Sequence, residues 1–190
     1  MQPYYKHKPI VVLVIALFWS CHLFAQQDRV APITSLKTGL VGASVGHEFP
    51  LSKYSVLNAE FGLLNGSIQY SSGNDYPSTW SLSLPIGLEL EPRIYYNLAK
   101  RIRKSKMVTL NSANFVSIAA LYSSKAYLGN LSQDPFIALV PQWGIRRNLG
   151  KKFYFESSVG IGVSYASTSF FGMKWSRQET LNIKFGYALK

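Results

Sequence analysis

The stretch KFYFESSVGIGVSYAS, residues 152–167, alternates between large apolar residues and small polar ones. Because successive side chains of a β-strand point to opposite faces, this alternation predicts a strand with two unlike faces. One face carries aromatic and branched residues, and the other carries glycine, serine and one carboxylate, Glu156. Small residues are typical of a crowded interior, so we interpret the apolar face as the lipid-facing surface of a β-barrel.

The same period of two recurs along the chain, in segments close to the roughly 9–11 residues that a tilted membrane strand needs. Segment 113–123 is mixed, so it predicts a strand without an assigned lipid face. Apolar and polar residues alternate only weakly in residues 30–38. An even number of strands would return both chain ends to the same side of the membrane, so we take residues 30–38 as the candidate eighth strand. The other predicted strands are 39–49, 55–70, 80–96, 113–123, 135–146, 152–167 and 180–189.

The first residues have the three parts of a secretory signal peptide: Lys6 and Lys8, an apolar run at 10–19, and small residues ending at Ala25. The run is shorter than the roughly 20 residues of a membrane-spanning helix. A lipoprotein signal ending at Cys21 is the alternative. The predicted fold is all-β: an antiparallel, up-and-down transmembrane β-barrel of about eight strands at 26–190, preceded by a cleaved signal peptide at 1–25.

Prolines interrupt two of the predicted strands at Pro85, Pro92 and Pro141. Proline cannot donate a ladder hydrogen bond, so it is unfavourable in the middle of a regular sheet. We therefore expect β-bulges where these residues lie.

The faces opposite the apolar ones carry charges of both signs, and small barrels fill their interior with side chains. Unpaired buried charges are costly, so these residues predict an internal network of ion pairs that closes the barrel. The alternatives are a charged conduit and catalytic carboxylates. The predicted lumen network comprises Glu60, Glu89, Glu91, Arg93, Arg146, Glu156 and Lys184.

Aromatic residues gather near the ends of the predicted strands, where membrane barrels carry their two interfacial girdles. The same residues would also suit the core of a soluble sandwich, but the signal peptide favours the membrane. The residues concerned are Phe49, Trp80, Tyr95, Tyr96, Tyr122, Trp143, Phe153, Phe155, Tyr165 and Tyr187.

The connections alternate between two kinds along the chain. Those at 50–54, 98–112 and 147–151 are basic, whereas those at 71–79, 125–134 and 167–178 are rich in serine, glycine or asparagine. Counting back from a C-terminal strand that ends in the periplasm places the basic connections on that side. The predicted basic periplasmic rim comprises Lys100, Arg101, Arg103, Lys104 and Lys106.

The basic rim invites a nucleic-acid function, because basic runs neutralise phosphates. An exported protein does not meet a genome, so no nucleic-acid partner is predicted. A solvated turn and a contact with anionic lipid headgroups or cell-wall carboxylates are the remaining interpretations.

Catalytic and metal-binding signatures are poor in this sequence. His47 and Glu48 are neighbours in a predicted strand, so their side chains point to opposite faces. GIGVSYA, which begins at Gly160, lacks the strand-to-helix context of a dinucleotide loop, and its glycines fit a tapering lumen better. No metal-ligand spacing is present. We predict no catalytic residues, no cofactor and no metal site.

The segments LEPRIYYNLAKRIRK, WGIRRNLGKKFYFESSVGIGVSY and LNIKFGYALK resemble small outer-membrane β-barrel proteins of Gram-negative bacteria, over roughly residues 36–190. The resemblance implies location in the cell outer membrane, contact with its lipid, and insertion by the barrel-assembly machinery. It implies no activity.

The predicted function is that of a non-enzymatic, monomeric outer-membrane barrel with a packed polar lumen. Its role would be structural, in surface interaction or in narrow permeation, and tight packing argues against an open porin. Two alternatives stay open: an outer-leaflet lipid-modifying barrel enzyme, and a soluble periplasmic lipocalin-like carrier whose apolar residues would face inward.

Overall fold

The computed structural model describes residues 29–64, 66–73, 76–131, 133–168 and 172–189, so the predicted signal peptide at 1–25 lies outside the described residues. No helix in these ranges is long and apolar enough to cross a membrane. A short α-helix, α1 (Leu98–Arg103), and a 3₁₀ turn (Thr109–Asn111) lie in one connection. The strands are β1 (Ile33–Gly39), β2 (Ala43–Pro50), β3 (Ser55–Leu63), β4 (Ser67–Gly73), β5 (Tyr76–Ile94), β6 (Asn114–Gly129), β7 (Phe136–Asn148), β8 (Phe153–Thr168) and β9 (Gly172–Ala188).

These strands form one antiparallel sheet that closes on itself. Strands adjacent in the chain pair with each other, except that β3 and β4 both pair with β5, and β1 pairs with β9 to complete the ring. Since β3 and β4 are successive parts of one wall strand, the ring has eight strands. This confirms the predicted eight-stranded all-β ring, with β1 as the weakly marked eighth strand.

The predicted faces are confirmed along the opening stretch. Val159 and Ile161 are exposed on the outside of the ring, whereas Glu156 and Ser158 are buried inside it. β7 shows the same alternation of buried and exposed residues along most of its length. The barrel therefore has its large apolar side chains outside and its charged side chains inside.

β6 carries large apolar residues on its inner face as well as on its outer face, which explains why its sequence did not show which face is which. Phe115 and Leu121 point inward and are buried, whereas Val116, Ile118 and Tyr122 are exposed on the outside. Both faces of this strand are thus partly apolar, and hydrophobicity alone cannot distinguish them.

The strands extend further than the sequence suggests at the end opposite the basic turns. The predicted loops at 71–79, 125–134 and 167–178 are wrong in their extent. β4 and β5 cover most of the first, β6 covers half of the second, and β8 and β9 cover most of the third. Ladder hydrogen bonds between serine- and glycine-rich segments continue these hairpins without an apolar pattern. We call this the hairpin end, and the opposite end, with turns at 51–54, 95–113 and 149–152, the basic end.

The predicted bulge is present at one of the prolines. The β5–β6 register shifts on both sides of Pro85, whose carbonyl accepts a hydrogen bond from the Leu64 amide at 3.2 Å. At Pro141 the β7–β8 ladder skips two residue pairs but keeps its register. At Pro92 the β5–β6 ladder likewise lacks two pairs without a shift. The prediction is therefore confirmed at Pro85 and wrong at the other two.

The wall of the ring is uneven in height. β1 ends at Gly39 and β2 begins at Ala43, whereas β9 begins at Gly172 and pairs with β1 only from Lys184 onward. Among the described residues, the β9 edge from 172 to 183 has no second strand partner. The low β1–β2 hairpin thus leaves a notch in the wall between β9 and β4.

Candidate functional site

Two arginines hold the centre of the lumen. Arg93 Nη1 and Nη2 donate hydrogen bonds to the two carboxylate oxygens of Glu156, each at 2.9 Å, and Arg93 Nε donates to Glu91 at 2.7 Å. Arg146 Nε donates to Glu156 at 2.8 Å, and its Nη1 and Nη2 donate to Glu48 at 2.9 and 2.8 Å. All five side chains are buried. We call Glu48, Glu91, Arg93, Arg146 and Glu156 the arginine cluster.

Two lysines form a second group nearer the hairpin end. Lys37 Nζ lies 2.7 Å from Glu60 Oε2, and Lys184 Nζ lies 2.9 Å from Glu60 Oε1 and 3.4 Å from Glu89. The Ser44 hydroxyl also donates to Glu60 at 2.7 Å. Glu60 is thus well compensated, whereas the one cationic partner described for Glu89 is Lys184, at 3.4 Å. We call Lys37, Glu60, Glu89 and Lys184 the lysine cluster.

Asn58 connects the two clusters. Its Oδ1 accepts a hydrogen bond from Lys37 Nζ at 3.0 Å, and its Nδ2 lies 3.4 Å from Glu91 Oε2. Since Asn58 is fully buried, the network is continuous along the inside of β3 and β5.

The structure brings together all seven residues that the sequence placed in the lumen network, and it adds two that the sequence analysis missed. Glu48 lay on the inward face of a predicted strand, so parity alone could have included it. Lys37 lies in β1, where short threonine-flanked alternation gave little basis for assigning a face. The complete network has the charged residues Lys37, Glu48, Glu60, Glu89, Glu91, Arg93, Arg146, Glu156 and Lys184.

Aromatic rings support the guanidinium groups from the basic end. The Arg93 guanidinium lies 4.5 Å from the centre of the Phe115 ring, and the Arg146 guanidinium lies 4.5 Å from the centre of the Tyr154 ring. The Tyr154 hydroxyl lies 2.8 Å from Ser35 Oγ. Such cation–π contacts are stronger when the groups are shielded from water.

The chain also closes the lumen at the basic end. Asn111, in the 3₁₀ turn, donates from Nδ2 to Glu48 at 2.7 Å, and the Tyr95 hydroxyl donates to Glu48 at 3.0 Å. Tyr95, expected in an interfacial girdle, therefore faces the interior, and that expectation is wrong. An apolar cap below the arginine cluster comprises Val30, Val56, Tyr95, Leu98, Ala113 and Phe115.

Above the lysine cluster the lumen opens into the notch. A cavity of about 230 Å³ lies between the β1–β2 hairpin, the end of β3 and residues 181–184 of β9. Lys37, Glu60, Glu89 and Lys184 form its polar wall, while Leu40, Leu63 and Leu181 line its apolar side. The described barrel is thus filled at the basic end and partly open at the hairpin end.

A second concave site lies on the basic end, outside the lumen. It has a volume of about 570 Å³ and holds five cationic side chains and no carboxylate. Of the predicted rim, Lys100, Arg101, Lys104 and Lys106 line it, whereas Arg103 does not. We call the lining residues Tyr96, Asn97, Lys100, Arg101, Lys104, Lys106 and Arg147 the basic groove.

Hydrogen bonds fix the floor of the basic groove. Arg101 Nη2 donates to the Met107 carbonyl at 2.8 Å, and Arg147 Nη2 donates to Asn114 Oδ1 at 2.6 Å. The Tyr96 hydroxyl accepts from Asn114 Nδ2 at 3.2 Å and from Trp143 Nε1 at 2.9 Å, which lowers the pKa of Tyr96.

His47 and Glu48 do not form a catalytic pair. Glu48 points into the lumen, while His47 lies on the other face, with Nδ1 2.7 Å from Thr34 Oγ1 and its ring 4.3 Å from that of Phe49. Within the described ranges, no group of three or more potential ligand side chains is placed to hold a metal ion.

The fold and the lumen define a class: a closed, antiparallel, up-and-down β-barrel with buried ion pairs inside and apolar residues outside. No protein-family model matches the chain, and neither a curated protein nor a solved structure was found to match it.

Proposed function

We propose that this protein is an integral outer-membrane β-barrel that is non-enzymatic and has a closed lumen, with a structural or surface-interaction role. The observation that carries the proposal is the inverted distribution of polarity around the ring. Nine charged side chains meet inside it, and leucine, isoleucine, valine and aromatic side chains are exposed outside it. In water this outer surface would be an aggregation hazard, whereas lipid solvates it.

The outer surface supports the proposal further, because its aromatic side chains lie in two rows. Paired rings of Phe153 with Tyr187 mark the basic end, with centroids 5.0 Å apart, and Tyr165 with Trp175 mark the hairpin end at 4.8 Å. Phe155, whose ring pairs with that of Phe185 at 5.4 Å, is the next outward ring after Phe153 and forms the inner edge of the basic-end row. Ten residues separate it from Tyr165, which in a tilted strand corresponds to roughly 25 Å, the height of a membrane barrel's apolar band.

Charges are rare between the two aromatic rows. Among the described outward-facing residues of this band, the charged ones are Arg177 and Glu179, which pair with each other at 2.9 Å. They lie on β9, along the part of its edge that borders the notch. A polar opening beside them would lower the cost of placing these charges in the band.

A closed lumen argues against an open pore and against a soluble carrier. A carrier needs an apolar cavity for its ligand, whereas this lumen buries five carboxylates and four bases at its centre. A pore needs a continuous water path, and the arginine cluster together with the apolar cap fills the cross-section at the basic end.

Membrane fractionation tests location, and planar bilayers test closure. We expect the protein to be recovered with outer membranes, to resist extraction by carbonate, and to migrate faster on a gel unless it is heated. In planar bilayers we expect no sustained current. Recovery in the soluble periplasm would reject the membrane location, and a large ion-selective current would reject the closed lumen.

A further inference from the structure

We propose that the basic groove is a binding site for the phosphate headgroup of an anionic phospholipid. This inference rests on the proposed membrane location. It goes beyond that location because it assigns a defined lipid site to named residues at one side of the barrel.

The charge of the groove requires an anion. Lys100, Arg101, Lys104, Lys106 and Arg147 line one concavity, and none of them forms an ion pair with a described carboxylate. The sequence contains no aspartate or glutamate from 92 to 133, so the whole connection that builds the groove lacks an acid. Cations gathered in this way repel one another unless a ligand or counterion neutralises them.

The groove is shaped before a ligand arrives. The amides of Lys104 and Lys106 donate to the Arg101 carbonyl at 3.2 and 3.0 Å, which closes the turn after α1. Asn97 Oδ1 accepts from the Asn114 amide at 2.8 Å and joins the start of this connection to β6. Arg101 Nε, which is shielded from solvent, has no hydrogen-bond partner among the described residues. A turn whose backbone is already held in this way loses less entropy on binding than a mobile turn would.

The position of the groove favours a lipid over a free anion. Tyr96 lines it and accepts the hydrogen bond from Trp143, whose ring lies in the outer aromatic row of the basic end. Tyrosine and tryptophan side chains settle at the level of lipid headgroups. A headgroup phosphate beside Tyr96 would therefore meet the lysines of the groove while its acyl chains remain along the apolar wall. The volume of about 570 Å³ falls within the range of small-ligand sites, about 300–1,000 Å³.

The experiment uses the full mature chain in phosphatidylcholine vesicles with a minor fraction of spin-labelled lipid. Selectivity is the ratio of association constants of labelled phosphatidylglycerol and labelled phosphatidylcholine with the protein. The groove variant is Lys100→Gln/Lys104→Gln/Lys106→Gln, all exposed lysines without a described hydrogen bond from their side chains. The matched control is Lys53→Gln/Lys151→Gln/Lys152→Gln, which removes the same charge from other turns of the same end.

We expect the groove variant to lose about tenfold in selectivity, because its three lysines line one concavity and would contact the same headgroup phosphate. The control should lose less than about twofold, because its lysines lie in two other turns and share no such site. Equal losses in both variants would show diffuse attraction and overturn the site, as would unchanged selectivity in the groove variant. Competition by millimolar glycerol phosphate as strong as that by the lipid would overturn the lipid assignment. Flotation with the vesicles and heat-modifiable migration measure insertion independently of lipid selectivity. A wild-type protein that inserts but does not prefer phosphatidylglycerol contradicts this inference alone. A wild-type protein that does not insert contradicts the proposed function as well.

Discussion

Arg146 and Glu48 meet across the full width of the ring, through two hydrogen bonds of 2.9 and 2.8 Å. Their strands, β7 and β2, lie four places apart in the eight-strand order and are therefore opposite each other. Such a contact fixes the diameter of the lumen, because neither side chain can reach its partner if the walls move apart. Glu156, next to Arg146 on β8, accepts from both arginines and ties this bridge to β5.

Replacing Glu156 by Gln tests the stabilising role of the arginine cluster. Both arginines lose a charged partner while the side chain keeps nearly the same shape, and breaking a buried pair costs about 3–5 kcal/mol. We expect a lower urea midpoint of unfolding, measured by heat-modifiable migration or tryptophan fluorescence. Glu89→Gln is the matched control, since the one cation described beside Glu89 is Lys184, at 3.4 Å, and Lys184 would keep its closer ion pair with Glu60 at 2.9 Å. Equal losses in the two variants would contradict a special role for the arginine cluster.

An arginine on the outer surface tests which solvent that surface meets. Val159 is 48 % exposed and lies between the apolar residues Leu181 and Trp143 of the neighbouring strands, so Val159→Arg would place an unpaired charge inside the apolar band, at a cost of about 2–4 kcal/mol if that band is in lipid. We expect poor assembly, measured as the folded fraction on an unheated gel. Leu149, which is 58 % exposed in the turn before β8, provides the control: Leu149→Arg should assemble normally. Normal assembly of both variants would indicate that water surrounds the barrel.

The close contact between Gly186 and Tyr154 predicts a steric effect. A Cβ at Gly186 would lie 2.1 Å from the Tyr154 ring, which in turn lies under the Arg146 guanidinium. We expect Gly186→Ala to lower the free energy of unfolding by about 1–3 kcal/mol through overpacking. Gly39→Ala should have a smaller effect, because its nearest neighbour would be 3.5 Å away. Adding Tyr154→Leu to Gly186→Ala should recover part of the loss, and no recovery would assign the effect to the backbone instead.

Side-chain parity made most of this barrel predictable. Alternation in β8 and β9 is long and regular, so it fixed which residues face inward and selected the lumen charges by position. Parity could not place Lys37 in the lumen, because β1 is short. It also could not identify the inner face of β6, because Phe115 and Leu121 make that face as apolar as the outer one. Parity also could not predict where the strands end, because the hairpin end is held by backbone hydrogen bonds, which leave no hydrophobic pattern in the sequence. The basic groove was only partly visible, because Tyr96, Asn97 and Arg147 join the rim through tertiary contacts.

The notch predicts uneven hydrogen exchange along β9. Alternate amides from 173 to 183 point away from β8 and have no described strand partner, whereas the segment 184–187 is paired on both sides. Unpaired amides open to water exchange fast. We expect about half of the amides in 173–183 to exchange within seconds, measured by mass spectrometry in detergent micelles. The corresponding part of β8, paired with both β7 and β9, is the internal control. Slow exchange throughout β9 would show that the edge is covered.

The two ends of the barrel predict opposite labelling of single cysteines. Lys104 lies in the turn after α1 at the basic end, and Lys125 lies near the hairpin end of β6; both are exposed. If the basic end faces the periplasm, Lys125→Cys should react with a membrane-impermeant maleimide on intact cells, and Lys104→Cys should react only after the outer membrane is permeabilised. The two variants are matched in residue type, and removal of residues 1–25 would leave no other thiol, since Cys21 is the single cysteine of the sequence. Labelling of Lys104→Cys alone on intact cells would reverse the orientation and place the basic groove among the phosphates of the outer leaflet.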